Sequence, residues 1–129
     1  MIAGIGADLT EISRIQDLLG KASSERFLQR ILTPAEREAA ELKQGARLAE
    51  FVAGRFAAKE SVAKALGCGI GAGLSFQDIE IINDARTGKP VCTVREEALI
   101  RAGLDHTAKI HLTITHTQDV AAAFVVIEN

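Results

Sequence analysis

From Lys109 to Thr115 the chain alternates strictly, with Ile110, Leu112 and Ile114 on one side and His111, Thr113 and Thr115 on the other. A period of two marks a strand with one covered face. The run Val120 to Ile127 is apolar at every position, which predicts a strand covered on both faces and near enough to the preceding one to form a hairpin. Ile79 to Asn83 and Val91 to Val94 read as two more strands around the turn Thr87-Gly88-Lys89-Pro90, and Met1 to Leu9 as a short opening strand. Thr10, ahead of Glu11 and the helically spaced Ile12, Ile15, Leu18 and Leu19, is expected to N-cap a helix that Gly20 stops. Thr33-Pro34-Ala35-Glu36 forms a capping box with proline at the first helical position, opening a helix to about Lys43. The clearest helical period runs from Ala46 to Leu66, with no proline, a single glycine, and Leu48, Val52, Phe56, Ala63 and Leu66 in step. Gly67 to Gly73 ends it as a glycine-rich loop, and Arg95 to Ala102 is a short helix closed by Gly103. Helices and strands alternate only in part, so the predicted class is α+β with a largely antiparallel sheet packed against a long central helix.

That helix carries charge in unexpected places. At about 100° per residue, Arg55 and Lys59 fall inside the stripe of Leu48, Phe51, Val52, Val62 and Leu66. Two readings follow: long stems lying on the core with their heads in water, or a basic pair set to meet an anionic ligand, since unpaired buried charge is costly. Ala49, Ala53 and Ala57 form a second, small-residue stripe suited to close packing. Glu60 and Lys64 have the spacing of an ordinary i,i+4 ion pair. Asp8, at the end of the first strand, is either a turn aspartate or, with Glu60, part of a hard-cation site. Mg²⁺ takes one or two protein carboxylates and completes its shell with water and phosphate oxygens.

Composition narrows the class. The chain has 129 residues, 47% hydrophobic and 25% charged, which fits one folded domain over residues 1–129 and excludes a disordered or collagen-like chain. A net charge of −2 gives no global case for nucleic acid, and no apolar run approaches a membrane span. The N-terminus carries Asp8 and Glu11 where a signal peptide would need basic and then apolar residues. The two cysteines, Cys68 and Cys92, are too few for a disulfide scaffold and lack metal-ligand spacing. A cytoplasmic location is expected. The glycine-rich loop follows a helix instead of opening one, so it fails the context of both nucleotide-loop fingerprints. Arg14, Lys21, Arg26 and Arg30 cluster around the first helix, as either a solvated surface or a docking surface for an acidic partner.

Two segments together resemble a known family. Gly4-Ile5-Gly6-Ala7-Asp8-Leu9-Thr10-Glu11-Ile12-Ser13-Arg14-Ile15 and Arg55-Phe56-Ala57-Ala58-Lys59-Glu60-Ser61-Val62-Ala63-Lys64-Ala65-Leu66-Gly67 resemble the two signatures of the small bacterial 4′-phosphopantetheinyl transferases, the holo-[acyl-carrier-protein] synthase family. Weaker matches are Asn83-Asp84 with Gly88-Lys89-Pro90, and His111 to His116 before a terminal apolar strand. Cys68, Ser61, Thr113, Thr115 and Val120 depart from residues common in that family.

The resemblance implies transfer of phosphopantetheine from coenzyme A to a serine of apo acyl carrier protein, with adenosine 3′,5′-bisphosphate leaving. It makes Asp8 and Glu60 the ligands of Mg²⁺ (or Mn²⁺), and Asp8, Glu60 and Lys64 the catalytic set. It suggests Arg55, Lys59, Lys64, Gly67, Lys89, Pro90 and His111 for coenzyme A, and Arg14, Lys21 and Arg26 for the carrier. It also implies a homotrimer with active sites at the subunit interfaces. Two readings from other classes remain open here: a non-catalytic module that binds an acidic carrier-like protein through the basic first helix, and another Mg²⁺-dependent enzyme acting on a nucleotide diphosphate.

Overall fold

The structure, a computed structural model, describes residues 1–71 and 73–129. Of the glycine-rich segment from Gly67 to Gly73, only Ala72 lies outside the described residues. Five strands and five α-helices follow in the order β1 (Ile2–Glu11), α1 (Ile12–Leu19), α2 (Ser24–Ile31), α3 (Pro34–Glu41), α4 (Ala46–Ala65), β2 (Ile79–Asn83), β3 (Pro90–Val94), α5 (Glu96–Arg101), β4 (Lys109–His116) and β5 (Val120–Glu128). A 3-10 turn, Phe76–Asp78, precedes β2. β1, β5 and β4 form one antiparallel sheet with β5 in the middle, and β2 and β3 form a separate antiparallel ribbon. The α+β class and the β4–β5 hairpin are as expected.

The helix α4 lies across this sheet, and its 20 residues divide the interior. Its C-terminal half packs Val62, Ala58 and Ala65 with Leu112, Ala123, Val125 and Ile127 of the sheet and Ile79 and Ile81 of the ribbon. Its N-terminal half packs Ala49, Val52 and Ala53 with Ile12, Ile15, Ile31 and Leu32. A helix wanted on both sides shows little amphipathic contrast, which is why two stripes were visible in its sequence.

The approach of α4 to β1 is close because β1 offers glycine there. A methyl group at Gly6 would fall inside the Ser61 carbonyl oxygen, and one at Gly4 inside that of Ala65. The Ser61 hydroxyl donates to the Ala57 carbonyl at 2.8 Å and to the Ala123 carbonyl of β5 at 3.3 Å, joining helix to sheet a second time.

Four local expectations are corrected. Thr10 does not cap α1: β1 continues through it to Glu11, and Thr10 is buried with its hydroxyl donating to Asp8 Oδ2 at 3.4 Å. The first amide of α1, Ile12, instead donates to the Asp119 carbonyl at 2.9 Å, so a turn from the far end of the chain does the capping. α2 was not anticipated, its eight residues being mostly polar. β5 is covered on one face only: Ala121, Ala123, Val125 and Ile127 are buried, while Phe124 on the other face is 46% exposed. Lys64 does not pair with Glu60 but with Asp8. The Thr33–Glu36 capping box is formed in both directions.

Replacing Gly6 by alanine is expected to force α4 off β1 and cost about 3 kcal/mol. Urea unfolding of Gly6→Ala against the parent measures it, and an unchanged midpoint would refute the contact.

Candidate active site

β1 delivers Asp8 to α4. Gly4, Gly6 and Asp8 share the face turned to the helix, and the glycines bring the helix near enough for Lys64 to reach over. Lys64 Nζ lies 3.0 Å from Asp8 Oδ1 and 3.2 Å from the Ala7 carbonyl oxygen. Glu60 stands one turn earlier on α4. Partial burial raises its carboxyl pKa, the Asp8 charge raises it further, and Lys64 and Arg14 pull the other way. Two neighbouring carboxylates, with oxygen as the only donor atom, suit a divalent hard cation. The residues fit Mg²⁺ or Mn²⁺ in that sense. Among the described residues no third His, Cys, Asp or Glu joins them, which leaves room for water and phosphate oxygens.

Glu60 borders a cavity of about 380 Å³ walled by Leu18, Phe27, Phe56 and Phe76, with Arg14 and Arg30 at its rim. Arg14 lies over the Phe56 ring at 5.9 Å and Arg30 over Phe76 at 5.8 Å, which fixes both guanidiniums beside the opening. Lys21 and Arg26 are exposed nearby in sequence, in the α1–α2 turn and on α2.

A second, basic groove of about 380 Å³ lies elsewhere, lined by Lys43, Arg47, Arg55, Asn83, Pro90 and His116. Arg55 is packed over the Phe51 ring at 4.5 Å and donates to Asn83 Oδ1 at 3.1 Å, while its Nε is buried with no partner. A buried N–H without a partner among the described residues is a cost of packing the Arg55 stem into the wall of the groove. Burial lowers the Arg55 pKa and the Glu36 charge opposes that shift. Pro90 pairs with Asn83 at the turn end of the ribbon, so β2 and β3 supply one wall.

Arg55 and Glu60 are five positions apart, which is about 140° around a helix. One chain therefore holds the carboxylate cluster and the basic groove on different sides of α4. Gly67 is at neither: it closes α4 with φ 78° and its amide donates to the Lys64 carbonyl at 3.0 Å. Lys89 is exposed in the turn before Pro90.

Two residues expected at coenzyme A lie away from both cavities in this chain. Lys59 is 0% exposed. Its ammonium donates to Glu36 Oε1 at 2.6 Å, the Ile31 carbonyl at 2.8 Å and the Phe76 carbonyl at 3.0 Å. All three protons are used inside the protein, so neither snorkelling nor coenzyme A contact is open to it. Burial lowers its pKa, with Glu36 opposing. His111 lies on the uncovered face of the sheet, 2.6 Å from Glu128 Oε1 and away from both cavities. The histidine in the basic groove is His116. The alternation of β4 could have found it, since His116 continues the Leu112–Ile114 side while His111 does not. Arg47 was also missed, although Arg47, Phe51 and Arg55 recur every four residues.

With this geometry described, comparison with known proteins becomes specific. Residues 4–125 match the family model of the 4′-phosphopantetheinyl transferase superfamily. The chain belongs to that superfamily. Among relatives, a holo-[acyl-carrier-protein] synthase of Geobacillus kaustophilus is 50% identical over 128 residues, covering 99% of this chain and 90% of that one. Among solved structures, a Bacillus anthracis holo-(acyl-carrier-protein) synthase in complex with CoA (3′,5′-ADP) superposes with a TM-score of 0.82 at 45% identity, covering 98% of this chain and 96% of the other. A Helicobacter pylori holo-[acyl-carrier-protein] synthase in complex with coenzyme A gives 0.82 at 33% identity, covering 96% and 99%. A phosphopantetheinyl transferase thus supplies the frame within which the two cavities are read.

Replacing Lys59 by methionine, which is close in volume, leaves Glu36 buried without its partner. It is expected to cost about 3 kcal/mol in urea unfolding. An unchanged stability would mean that the ion pair is not formed.

Proposed function

We propose that this chain moves the 4′-phosphopantetheine arm of coenzyme A onto a serine of an apo acyl carrier protein and releases adenosine 3′,5′-bisphosphate. The observation that carries the reading is the Asp8–Lys64 pair beside Glu60, which itself lines a cavity with Arg14 and Arg30, in a member of the superfamily whose near relatives are named for this reaction. Asp8 and Glu60 would hold Mg²⁺ or Mn²⁺. When bound, that cation neutralises diphosphate charge and acidifies the oxygens it touches.

The chain's own groups do the rest. Glu60, with its pKa raised by burial and by Asp8, is suited to take the proton of the serine hydroxyl. The serine oxygen forms the new bond to the phosphorus next to pantetheine, and the bond from that phosphorus to the bridging oxygen breaks. Lys64 already donates to Asp8 and can turn to the phosphate oxygens as negative charge grows on the leaving group. Arg55, with His116, Asn83 and Pro90 around it, takes the nucleotide phosphates and adenosine. Lys89, in the turn before Pro90, borders the same ligand in this reading. Arg14, Lys21 and Arg26 meet the acidic carrier and speed its association.

The assembly we propose is a homotrimer, in the cytoplasm, with each active site shared by two copies. Two observations support sharing. The carboxylate cluster and the basic groove point away from each other within one chain. The uncovered face of the sheet carries Ile5 at 61%, Leu9 at 73% and Phe124 at 46% exposure, an apolar surface that a neighbouring copy would cover. Placing a neighbour's Arg55 opposite this chain's Glu60 turns two half-sites into one cleft.

Incubation with coenzyme A, Mg²⁺ and apo carrier should raise the intact mass of the carrier by one phosphopantetheine arm. No mass gain from folded protein would sink the reading. Glu60→Gln should lower turnover at least about 100-fold with the fold unchanged, whereas wild-type turnover would take Glu60 out of the reaction. Phe124→Glu should convert three-chain particles, seen by light scattering, into folded single chains without transfer activity. A parent protein that is fully active as a single chain would refute the shared site.

A further inference from the structure

The C-terminal end of α2 is tied down in a manner that neither catalysis nor the hydrophobic core requires. An α-helix leaves its last four carbonyls without internal partners. α2 has no glycine beyond its end to turn the chain back: Leu32 is extended, and Thr33-Pro34 opens α3 at once. Its terminal carbonyls are instead met one by one. The Leu32 amide donates to the Leu28 carbonyl at 2.9 Å. Gln77 Nε2 shares its two protons among the carbonyls of Gln29 at 2.9 Å, Arg30 at 3.2 Å and Leu32 at 2.8 Å. Arg37 donates to the Leu32 carbonyl at 2.7 Å, with the Gln29 carbonyl at 3.4 Å. Lys59 takes the remaining one, Ile31.

Three donors from three segments (the 3-10 turn, α3 and α4) therefore hold one eight-residue helix by its tail. Two of them are cations placed at a helix C-terminus, where the backbone partial charge is negative. The helix so held is a wall of the Glu60 cavity: Phe27 and Ile31 line it and Arg30 sits at its rim. The other anchor of Lys59, the Phe76 carbonyl, belongs to a second wall residue, whose ring lies 5.6 Å from Phe56. Lys59 and Glu60 are neighbours in sequence. The side chain of the first thus fixes the cavity onto which the second opens. A buried ion pair adds little net stability, so the pair with Glu36 is better explained as geometry than as adhesion.

We propose that Gln77, Arg37 and Lys59 are positioning residues for the protein substrate: together they set α2, and with it Phe27, Arg26 and Arg30, at the spacing that an acidic carrier surface must match. This rests on the transfer reading above for the identity of the partner, but the bracket itself does not. None of the three residues touches coenzyme A in this arrangement, so releasing α2 acts on one substrate and spares the other.

Gln77→Met tests it, because Gln77 is at the surface and the change keeps the length and neutral charge while deleting the donor. Hydrogen exchange of the full-length protein should show the α2 amides of Phe27, Leu28 and Leu32 opening at least about tenfold faster, with the α4 amides unchanged. Steady-state kinetics should show the KM for apo carrier rising at least about fivefold while the KM for coenzyme A stays within about twofold. A second variant, Lys59→Met combined with Glu36→Gln, removes both buried charges and should show the same split. Unchanged α2 exchange would overturn the bracket. Faster exchange with an unchanged carrier KM, or with both KM values rising together, would overturn its role in recognition. A parent protein that transfers nothing would defeat the transfer reading instead, and the exchange result would then decide alone whether α2 is held as described.

Discussion

The backbone of α4 rests on the backbone of β1, and the rest of the molecule is arranged around that contact. It requires residues without a Cβ at two alternate positions of one strand face, and Gly4 and Gly6 meet that requirement. The next residue on that face is Asp8. Gly4 lies against Ala65 and Gly6 against Ser61, so β1 runs toward the N-terminus of α4, and the long Lys64 side chain reaches back along the helix to meet Asp8. The spacing Gly-x-Gly-x-Asp is thus a packing rule whose last member is chemical. Any larger residue at the glycines would lift the helix and separate the aspartate from its lysine, so stability and chemistry share one constraint.

Charge on α4 is used in two distinct ways, and burial distinguishes them. Lys59 has every proton satisfied inside the protein, by a carboxylate and two carbonyls. Such an ammonium has no capacity left for a ligand, and its directional bonds fix three segments relative to α4. Arg55 is also almost buried, but one of its N–H groups has no partner and its guanidinium borders an open groove. The same helix stripe therefore holds one cation sealed in the interior and one at the wall of a groove, four residues apart. Glu36 serves both ends of this economy. It caps α3, accepts from the Ile81 amide at 2.7 Å and pairs with Lys59, so one carboxylate ties α3, β2 and α4 together.

Much of this was legible in the sequence where local rules decide. The capping box at Thr33, the alternation of β4 and the long period of α4 all depend on neighbours within a few residues, and each formed as expected. What escaped depends on distant partners. Thr10 failed as a cap because the carbonyl of Asp119 had already met the first helical amide. α2 is short and polar, and is held by side chains from residues 37, 59 and 77, none of which announces its target. Lys59 and Arg55 looked equivalent because periodicity gives the face of a helix but not what packs on it. The alternation of β4 separates His111 from His116, and it is His116, on the Leu112–Ile114 side, that lines the basic groove.

The uniform apolarity of β5 points beyond the single chain. A strand covered on one face needs only alternate apolar residues, yet Ala122, Phe124 and Val126 are apolar on the side that this chain leaves open. Ile5 and Leu9 of β1 extend the same surface. The pattern that reads as a doubly covered strand is therefore consistent with the second cover coming from another copy. The same logic applies to α4. A domain this small has one long helix to build on, and placing an acidic half-site and a basic half-site on its two sides leaves each incomplete alone. In the proposed trimer, the apolar excess of one strand and the divided charge of one helix would have a single explanation.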